Sequence, residues 1–350
     1  MRAMILAAGH GTRFRPATIE IPKPLIPLCN RPLIDYAVDP LLSFGVREIV
    51  VNLHHLPAAI EKHLAESYGR RCRFHFFHEP DILGTGGGVR NARRALEGDG
   101  GFFLVNGDTI QSPPFARLQR ALEETGALAA LLLRHPSGQE TYTKVYFDGT
   151  QVTGFGEGEG EALMFSGSHA ISDRIFEYLP PRPFSGLTED LYRPLLRDRH
   201  EKLAGTVDDG LWYDIGTPRR YMAATDEMRN RMLAGDVAMP DGSNASSRSI
   251  VDATAAIRGV VEESVIGAES TIDRGGRVLR SAVWKACRVE GDVEESILCD
   301  GVQIPDRASV RNALVCRRRD DLEALPGLVL SGELAAVPAD AEKLFRFVVA

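Results

Sequence analysis

Residues 1–27 read MRAMILAAGHGTRFRPATIEIPKPLIP, and the fold is decided in their first thirteen. Met1 to Ala8 is a short apolar run of the kind that forms a buried strand. It opens at once into Gly9-His10-Gly11-Thr12-Arg13, and further on comes Pro22-Lys23-Pro24-Leu25. Glycines let backbone N–H groups approach an anion closely, and Arg13 and Lys23 would neutralise it, so the stretch suits a polyphosphate. The plain alternative is a strand and turn carrying two surface cations. The loop is no dinucleotide fingerprint, because GxGxxG needs a glycine where Phe14 stands. GxxxxGK[ST] occurs nowhere in the chain, so it is no P-loop either.

Working outward, Pro32 to Phe44 carries apolar residues at helical spacing, with Gly45 as its C-cap. Glu48 to Asn52 is a β-branched strand, Pro57 to Tyr68 a second helix, and Cys72–Phe77 and Phe102–Val105 two more strands. Strands alternating with such helices predict βαβ units and a mostly parallel sheet. Ligands then sit beyond the carboxyl ends of the strands. Two further loops stand out there. Glu79 to Val89 holds four glycines in five residues (Gly84, Gly86, Gly87 and Gly88) ahead of Arg90, Arg93 and Arg94, and reads as a loop beside a helix N-terminus with unpaired donors. Asn106-Gly107-Asp108 puts a carboxylate just past an apolar strand. Asp108 is read either as a catalytic or metal-binding group or as the cap of a helix starting near Pro113. Leu211 to Pro218 repeats the pattern with Asp214. Two carboxylates and two cations near glycine-rich loops make a coherent site for phosphate and Mg²⁺, which takes oxygen ligands.

The totals fit. At 350 residues with 44% hydrophobic and 25% charged residues, two domains with substantial cores are expected. A net charge of -7 argues against a general nucleic-acid binder. Five scattered cysteines without CxxC spacing disfavour a disulfide framework or a zinc site. The first apolar run is too short for a signal segment and no stretch is long enough for a membrane span, so the reading expects a reduced, cytoplasmic protein without membrane contact. His54, His55, His75 and His78 show no metal-binding spacing.

Gly154 to Glu161 (GFGEGEGE) reads as a mobile loop and a candidate substrate lid before the strand at Met164-Phe165. Arg229 to Ser249 is turn-rich and reads as a linker. Beyond it, Ser264-Val265-Ile266-Gly267 is echoed at Ser281, Ser296 and Ala313, at intervals of 17, 15 and 17 residues. Single aliphatics recur between these anchors, the pattern of a parallel β-helix, with an irregular sandwich as the alternative. Glu323 to Ala350 reads as partly helical, a cap for the open coil. The expected domains are 1–235, 249–318 and a tail, 319–350.

Together these motifs resemble the sugar-1-phosphate nucleotidyltransferases, notably the mannose-1-phosphate guanylyltransferase-like members. The four loops stand in that family's order: Leu6–Arg13 with Pro22–Leu25, Leu83–Gly88, Asn106–Asp108 and Trp212–Thr217. The resemblance implies a Rossmann-like α/β domain followed by a left-handed β-helix of hexapeptide repeats. It implies transfer of a nucleoside monophosphate from an NTP to a sugar 1-phosphate, with Mg²⁺ and release of pyrophosphate. Arg13, Lys23 and Asp108 take the catalytic roles, and Asp108 and Asp214 the metal. Leu6, Ala7, Ala8, Gly9, Gly11, Thr12, Arg13, Lys23, Gly84, Thr85, Gly86 and Gly87 surround the nucleotide, and Gly107, Glu157, Gly167 and Asp214 the sugar. One departure stands out. The family's Glu-Lys-Pro segment reads Gly156-Glu157-Gly158 here, without its lysine, and Lys144 or Arg219 are the substitutes in reach of the sequence. A UTP-using enzyme for N-acetylmuramate 1-phosphate or another hexose 1-phosphate, and a non-catalytic sugar-nucleotide sensor, stay as alternatives. An acyltransferase working on the coil would need a histidine there, and none follows His200. A homo-oligomer is expected.

Overall fold

The computed structural model describes residues 1–136, 142–198 and 201–317, together with the backbone of Val329–Ser331 and Leu334–Ala336. Contacts group them into two compact units, Met1–His10 with Leu33–Tyr213, and Gly11–Pro32 with the residues from Asp214 onward.

In the first unit, β1 (Arg2–Leu6), β2 (Glu48–Leu53), β3 (Arg73–His78) and β4 (Gly101–Asn106) lie parallel in the order β3-β2-β1-β4. Ala3, Met4, Ile5, Ile49, Val50, Val51, Phe102 and Phe103 are completely buried. A parallel strand covered on both faces must be largely apolar, which is why the centres of β1, β2 and β4 read as hydrophobic runs, while β3 at the end of the order interleaves Phe with His and is partly exposed. Helices α1 (Asp35–Phe44) and α2 (Pro57–Tyr68) stand where the spacing puts them, and Gly45 closes α1 in a left-handed conformation, φ 108°.

The sheet continues in an antiparallel half that the sequence pattern left undrawn. It contains β5 (Ala129–Arg134), β6 (Lys144–Phe147), β7 (Val152–Phe155), β8 (Glu161–Ser172) and β9 (Leu203–Val207). The twelve-residue β8 is its spine, antiparallel to β4, β5 and β6, while β7 pairs with β6 and β9 joins β5 in parallel. GFGEGEGE is therefore the end of β7, a turn and the first residue of β8. Gly156 N–H donates to the Lys144 carbonyl at 2.7 Å, and the Thr153 hydroxyl donates to the Glu159 carbonyl at 2.6 Å. A stretch tied to its neighbouring strands replaces the free loop expected there.

Gly84–Asn91 is helix α3 rather than a loop. Helix α4 (Phe115–Thr125) follows a short strand at Thr109–Gln111 and starts after Pro114, so Asp108 does not cap it.

The second unit is built on helix α5 (Pro218–Ala234) and a β-helix. The expected linker starts inside α5, because buried Met228 and Met232 continue the face begun by Tyr221, Ala224 and Thr225. It ends in a strand, Ser243–Ser246, antiparallel to Ser249–Asp252. From there three parallel faces rise coil by coil. One runs from Ser249–Asp252 through Val265–Ile266, Ala282–Val283 and Ile297–Leu298 to Leu314–Arg317. The other two begin at Ala256–Ile257 and Val260–Glu262. This is the arrangement of a left-handed parallel β-helix, with single aliphatics such as Ile272, Val278, Val289, Val293, Ile304 and Val310 filling its core.

The repeated serines have a physical cause. Ser249, Ser264, Ser281 and Ser296 are buried in register. Each hydroxyl accepts the backbone N–H of the equivalent residue in the next coil, at 3.0 Å from Ser264 and Ser281 and at 3.1 Å from Ser296 and Ala313. Ser264, Ser281 and Ser296 also donate to the carbonyl two residues back at 2.7 Å. The residue before each later anchor (Glu263, Arg280, Glu295, Asn312) is left-handed, which turns the corner and frees that N–H for the ladder. The two described tail segments are strands, Leu334–Ala336 antiparallel to Leu314–Arg317 and to Val329–Ser331. Where a partly helical cap was expected, they extend a face; the rest of that stretch lies outside the described residues. No helix among the described residues is long and apolar enough to cross a membrane.

Ser281→Ala strips the acceptor from a buried N–H without changing the coil's shape. It should destabilise the protein by about 1–3 kcal/mol, read by urea denaturation. An unchanged midpoint would remove the ladder as the reason for the repeat.

Candidate active site

In the first unit the carboxyl end of β4, which lies beside that of β1, meets the middle of β8. Ala7 and Ala8 are buried, and Gly9 is exposed with open space around it. Ala7 N–H donates to Asn52 Oδ1 at 3.0 Å, and Asn52 Nδ2 donates to Glu79 Oε1 at 2.8 Å. Glu79 Oε2 in turn accepts Leu83 N–H at 2.9 Å. Asn52 and Glu79 are each 3% exposed, so this polar relay is sealed in the core. It fixes the point where the chain leaves β1 relative to the start of α3. The sequence flagged neither residue as functional.

The glycines of α3 serve close packing. A Cβ on Gly86 would lie 2.8 Å from Ser185 Oγ, and one on Gly87 would lie 2.3 Å from the Pro183 carbonyl oxygen. The N–H groups of both donate to the Ser185 carbonyl, at 2.8 and 3.2 Å, and Thr85 Oγ1 accepts Leu187 N–H at 2.8 Å. The unpaired donors expected at this helix start are thus taken by the chain's own 185–187 segment. Thr85 is exposed, while Gly84, left-handed at φ 72°, also lies against the Ser185 carbonyl.

Gly107 N–H donates to the Leu6 carbonyl at 2.9 Å, which sets the Asn106–Asp108 turn against the end of β1. The register of β8 shifts between Phe165 and His169, a bulge of the kind that re-aims backbone at functional sites. Gly167 sits in it at φ 93°, where a Cβ would come 2.4 Å from Asn106 Nδ2. Trp212 Nε1 donates to the Ser166 carbonyl at 2.9 Å, bringing the Trp212 motif to the same place. Arg134, at the end of β5, is 8% exposed and lies with its guanidinium 5.0 Å from the Trp212 ring. Among the described residues its Nε has no hydrogen-bond partner. Behind the bulge, His169 Nδ1 is 3.1 Å from the Tyr192 hydroxyl, and burial pushes the imidazole down to about 3, so it is neutral at working pH.

Glu157 is exposed and lines a cavity of about 360 Å³ with Arg193 and Arg197, which pair with Glu189 at 3.1 Å and Asp198 at 2.8 Å. Lys144 and Arg219 are both exposed. Arg134 was missed because a lone Arg closing a strand carries no sequence signal.

In the second unit, Gly11 is left-handed at φ 62°, and a Cβ there would come 2.9 Å from Thr18 Cγ2 and 3.0 Å from Lys23 Cβ. Only glycine lets the loop close on Lys23, which is 6% exposed and braced by Pro22 and Pro24. Thr12–Phe14 forms one turn that buries Phe14 and leaves Arg13 exposed. The Arg13 guanidinium covers Gly216, where a Cβ would lie 2.9 Å from one of its nitrogens. Asp214 Oδ2 accepts from Arg220 at 2.6 Å, and Thr217 Oγ1 caps α5 by accepting Arg220 N–H at 3.3 Å. Gly11, Arg13, Lys23 and Asp214 thus share one unit, while Leu6, Ala7, Gly84, Gly107, Asp108, Glu157 and Gly167 belong to the other.

The family model described as nucleotidyl transferase matches residues 2–231. The chain belongs to the nucleotidyl transferase family. Mannose-1-phosphate guanyltransferase 2 of Candida glabrata is 29% identical over 267 residues, 73% of this chain and 72% of that one. Mannose-1-phosphate guanyltransferase of Eremothecium gossypii is 28% identical over 352 residues, 90% and 95% of the two chains. The crystal structure of HddC from Yersinia pseudotuberculosis complexed with GMP-PN shares the fold at TM-score 0.55 and 23% identity, over 65% of this chain and 99% of that one. For a nucleotidyl transferase the donor set is informative. Among the described residues no group of three His, Cys, Asp or Glu could hold a metal by itself.

Gly216→Ala forces the Arg13 guanidinium aside while the backbone stays free to fold. We expect a loss of nucleotidyl transfer of about tenfold or more with little change in melting temperature. Wild-type rates in a folded Gly216→Ala sample would show that Arg13 needs no such platform.

Proposed function

We propose that this enzyme is a mannose-1-phosphate guanylyltransferase, converting GTP and mannose 1-phosphate to GDP-mannose and pyrophosphate. The observation that carries the reading is the similarity to two relatives of that printed name, one of them along 90% of this chain. The cations and carboxylates of the four loops agree with it. Residues 1–235 act as the catalytic domain and 249–318 as the β-helix.

An oxygen of mannose 1-phosphate attacks the α-phosphorus of GTP. The new P–O bond forms as the bond from the α-phosphorus to the bridging oxygen breaks, and pyrophosphate departs with that electron pair. Arg13 and buried Lys23 neutralise triphosphate charge, with the backbone of Gly9, Gly11 and Thr12 close to it. Leu6, Ala7, Ala8, Gly84, Thr85, Gly86 and Gly87 frame base and ribose, the last two as packing glycines that shape the wall. Asp108 and Asp214 would hold Mg²⁺, which would supply charge neutralisation at the reacting phosphates. Asp214 pairs with Arg220 at 2.6 Å and would give up that partner to take the metal. Gly107, Glu157, Gly167 and Asp214 contact the sugar, and Arg134 beside Trp212 stands in for the family's absent lysine on the sugar phosphate. Catalysis of this kind is positioning and charge stabilisation rather than covalent work by the protein. The enzyme works in the cytoplasm as a homo-oligomer; Ile257 and Val260, exposed on the first coil, support an assembly surface there.

Pyrophosphate release over a panel of NTPs and sugar 1-phosphates tests the reading, with GTP and mannose 1-phosphate expected to give the highest kcat/KM. UTP with an amino-sugar phosphate as the best pair would replace it, and binding without any turnover would point to a sensor. In the same assay Asp108→Asn and Asp214→Asn should each lose roughly a hundredfold or more with the fold intact. Arg134→Gln should raise KM for the sugar phosphate and leave KM for the nucleotide unchanged; the reverse split would dismiss it.

A further inference from the structure

The segment Gly11–Pro32, which carries Arg13 and Lys23, shares its compact unit with the β-helix. The contacts that join them are specific. Trp284, on the third coil and 4% exposed, donates its indole N–H to the Tyr221 hydroxyl at 3.0 Å. That hydroxyl donates in turn to the Pro27 carbonyl at 2.6 Å, and Tyr221 is 1% exposed. The Tyr221 ring meets Phe14 edge-on at 5.7 Å and Trp284 at 6.3 Å. Two residues further along the segment, Cys29 and Asn30 are both left-handed. Asn30 Nδ2 donates to the Ile266 carbonyl at 2.9 Å, and the Cys29 thiol lies 3.6 Å from the Thr225 carbonyl.

A run from indole to hydroxyl to carbonyl is directional, because each donor has one acceptor and the last acceptor is the backbone at Pro27, in the segment that carries Lys23. An apolar pair would fill the same space without leaving a buried phenol to be satisfied. The run therefore specifies where the segment sits rather than merely filling a core. Phe14 immediately follows Arg13, and Pro27 lies four residues past Lys23, so both anchors flank the two cations.

We propose that the β-helix positions the nucleotide's phosphate-binding loop, with Tyr221, Trp284 and Asn30 as positioning residues that preorganise Arg13 and Lys23. The coil is then part of the nucleotide-binding machinery as well as an assembly surface. The proposal rests on the reading of Arg13 and Lys23 as phosphate ligands.

The test uses the full chain and steady-state kinetics with GTP and mannose 1-phosphate varied separately. Tyr221→Phe keeps both ring contacts and deletes only the hydroxyl relay; Trp284→Phe deletes the indole donor together with part of the buried ring. Each should raise KM for the nucleotide by about tenfold, with KM for the sugar phosphate unchanged and kcat lowered far less. Asn30→Ala, half-buried at the segment's far end, should shift the same constant and covers the case in which an aromatic variant does not fold. Combining Tyr221→Phe with Arg13→Ala should give less than the sum of their separate effects, since both act on one guanidinium. A lowered melting temperature with nucleotide KM unchanged in Tyr221→Phe and Asn30→Ala would overturn the proposal and leave these contacts structural. If Arg13→Ala and Lys23→Ala themselves leave nucleotide KM and kcat unchanged, the phosphate reading fails, and the positioning role with it.

Discussion

The packing of β1 between two parallel neighbours is the constraint on which the rest depends. With Ala3, Met4 and Ile5 sealed on both faces, the strand has one direction and one exit, and its end is fastened by Ala7 N–H on Asn52. Asn52 could not be buried there without a further acceptor, and Glu79 supplies it while also taking Leu83 N–H. One buried amide and one buried carboxylate thereby set the start of α3 relative to the end of β1. Leaving either partner unpaired would cost the desolvation of the other.

The glycines divide into two physical classes. Gly11 and Gly167 are left-handed and also crowded, so both conformation and space demand them. Gly86 and Gly87 have ordinary helical geometry and are required because Pro183 and Ser185 lie against them. Composition cannot tell the classes apart, and for that reason a packed helix carries the signature of an open loop. A similar ambiguity sat at Asp108. A carboxylate after an apolar strand looks like a helix cap until the strand Thr109–Gln111 intervenes and the helix is seen to start beyond Pro114.

The β-helix was the most legible part of the chain, because its repeat is written at short range. Each coil must bury one aliphatic per face, turn at a left-handed corner and offer a serine to the next coil, and these demands recur every 15 to 17 residues. The antiparallel strands of the first unit were less legible. β6 and β7 are four residues each, too short for an alternation to stand out, and β7 reaches the sheet only through β6, which pairs with the start of β8.

By itself the sequence determined the parallel strands, the order of the four loops, the positions of Arg13, Lys23, Asp108 and Asp214, and the coiled repeat. All are properties of neighbours along the chain: continuous burial, local charge and a fixed period. Only the tertiary structure decided what those residues lean on. The Asn52–Glu79 relay, the cover over Gly86 and Gly87, Arg134 against Trp212, and the line from Trp284 through Tyr221 to Pro27 join residues far apart in sequence. The last spans 63 residues for one hydrogen bond and 194 for the next. Such pairings obey no period, because burial rewards any donor that finds its acceptor, and which one does is settled only when the elements pack.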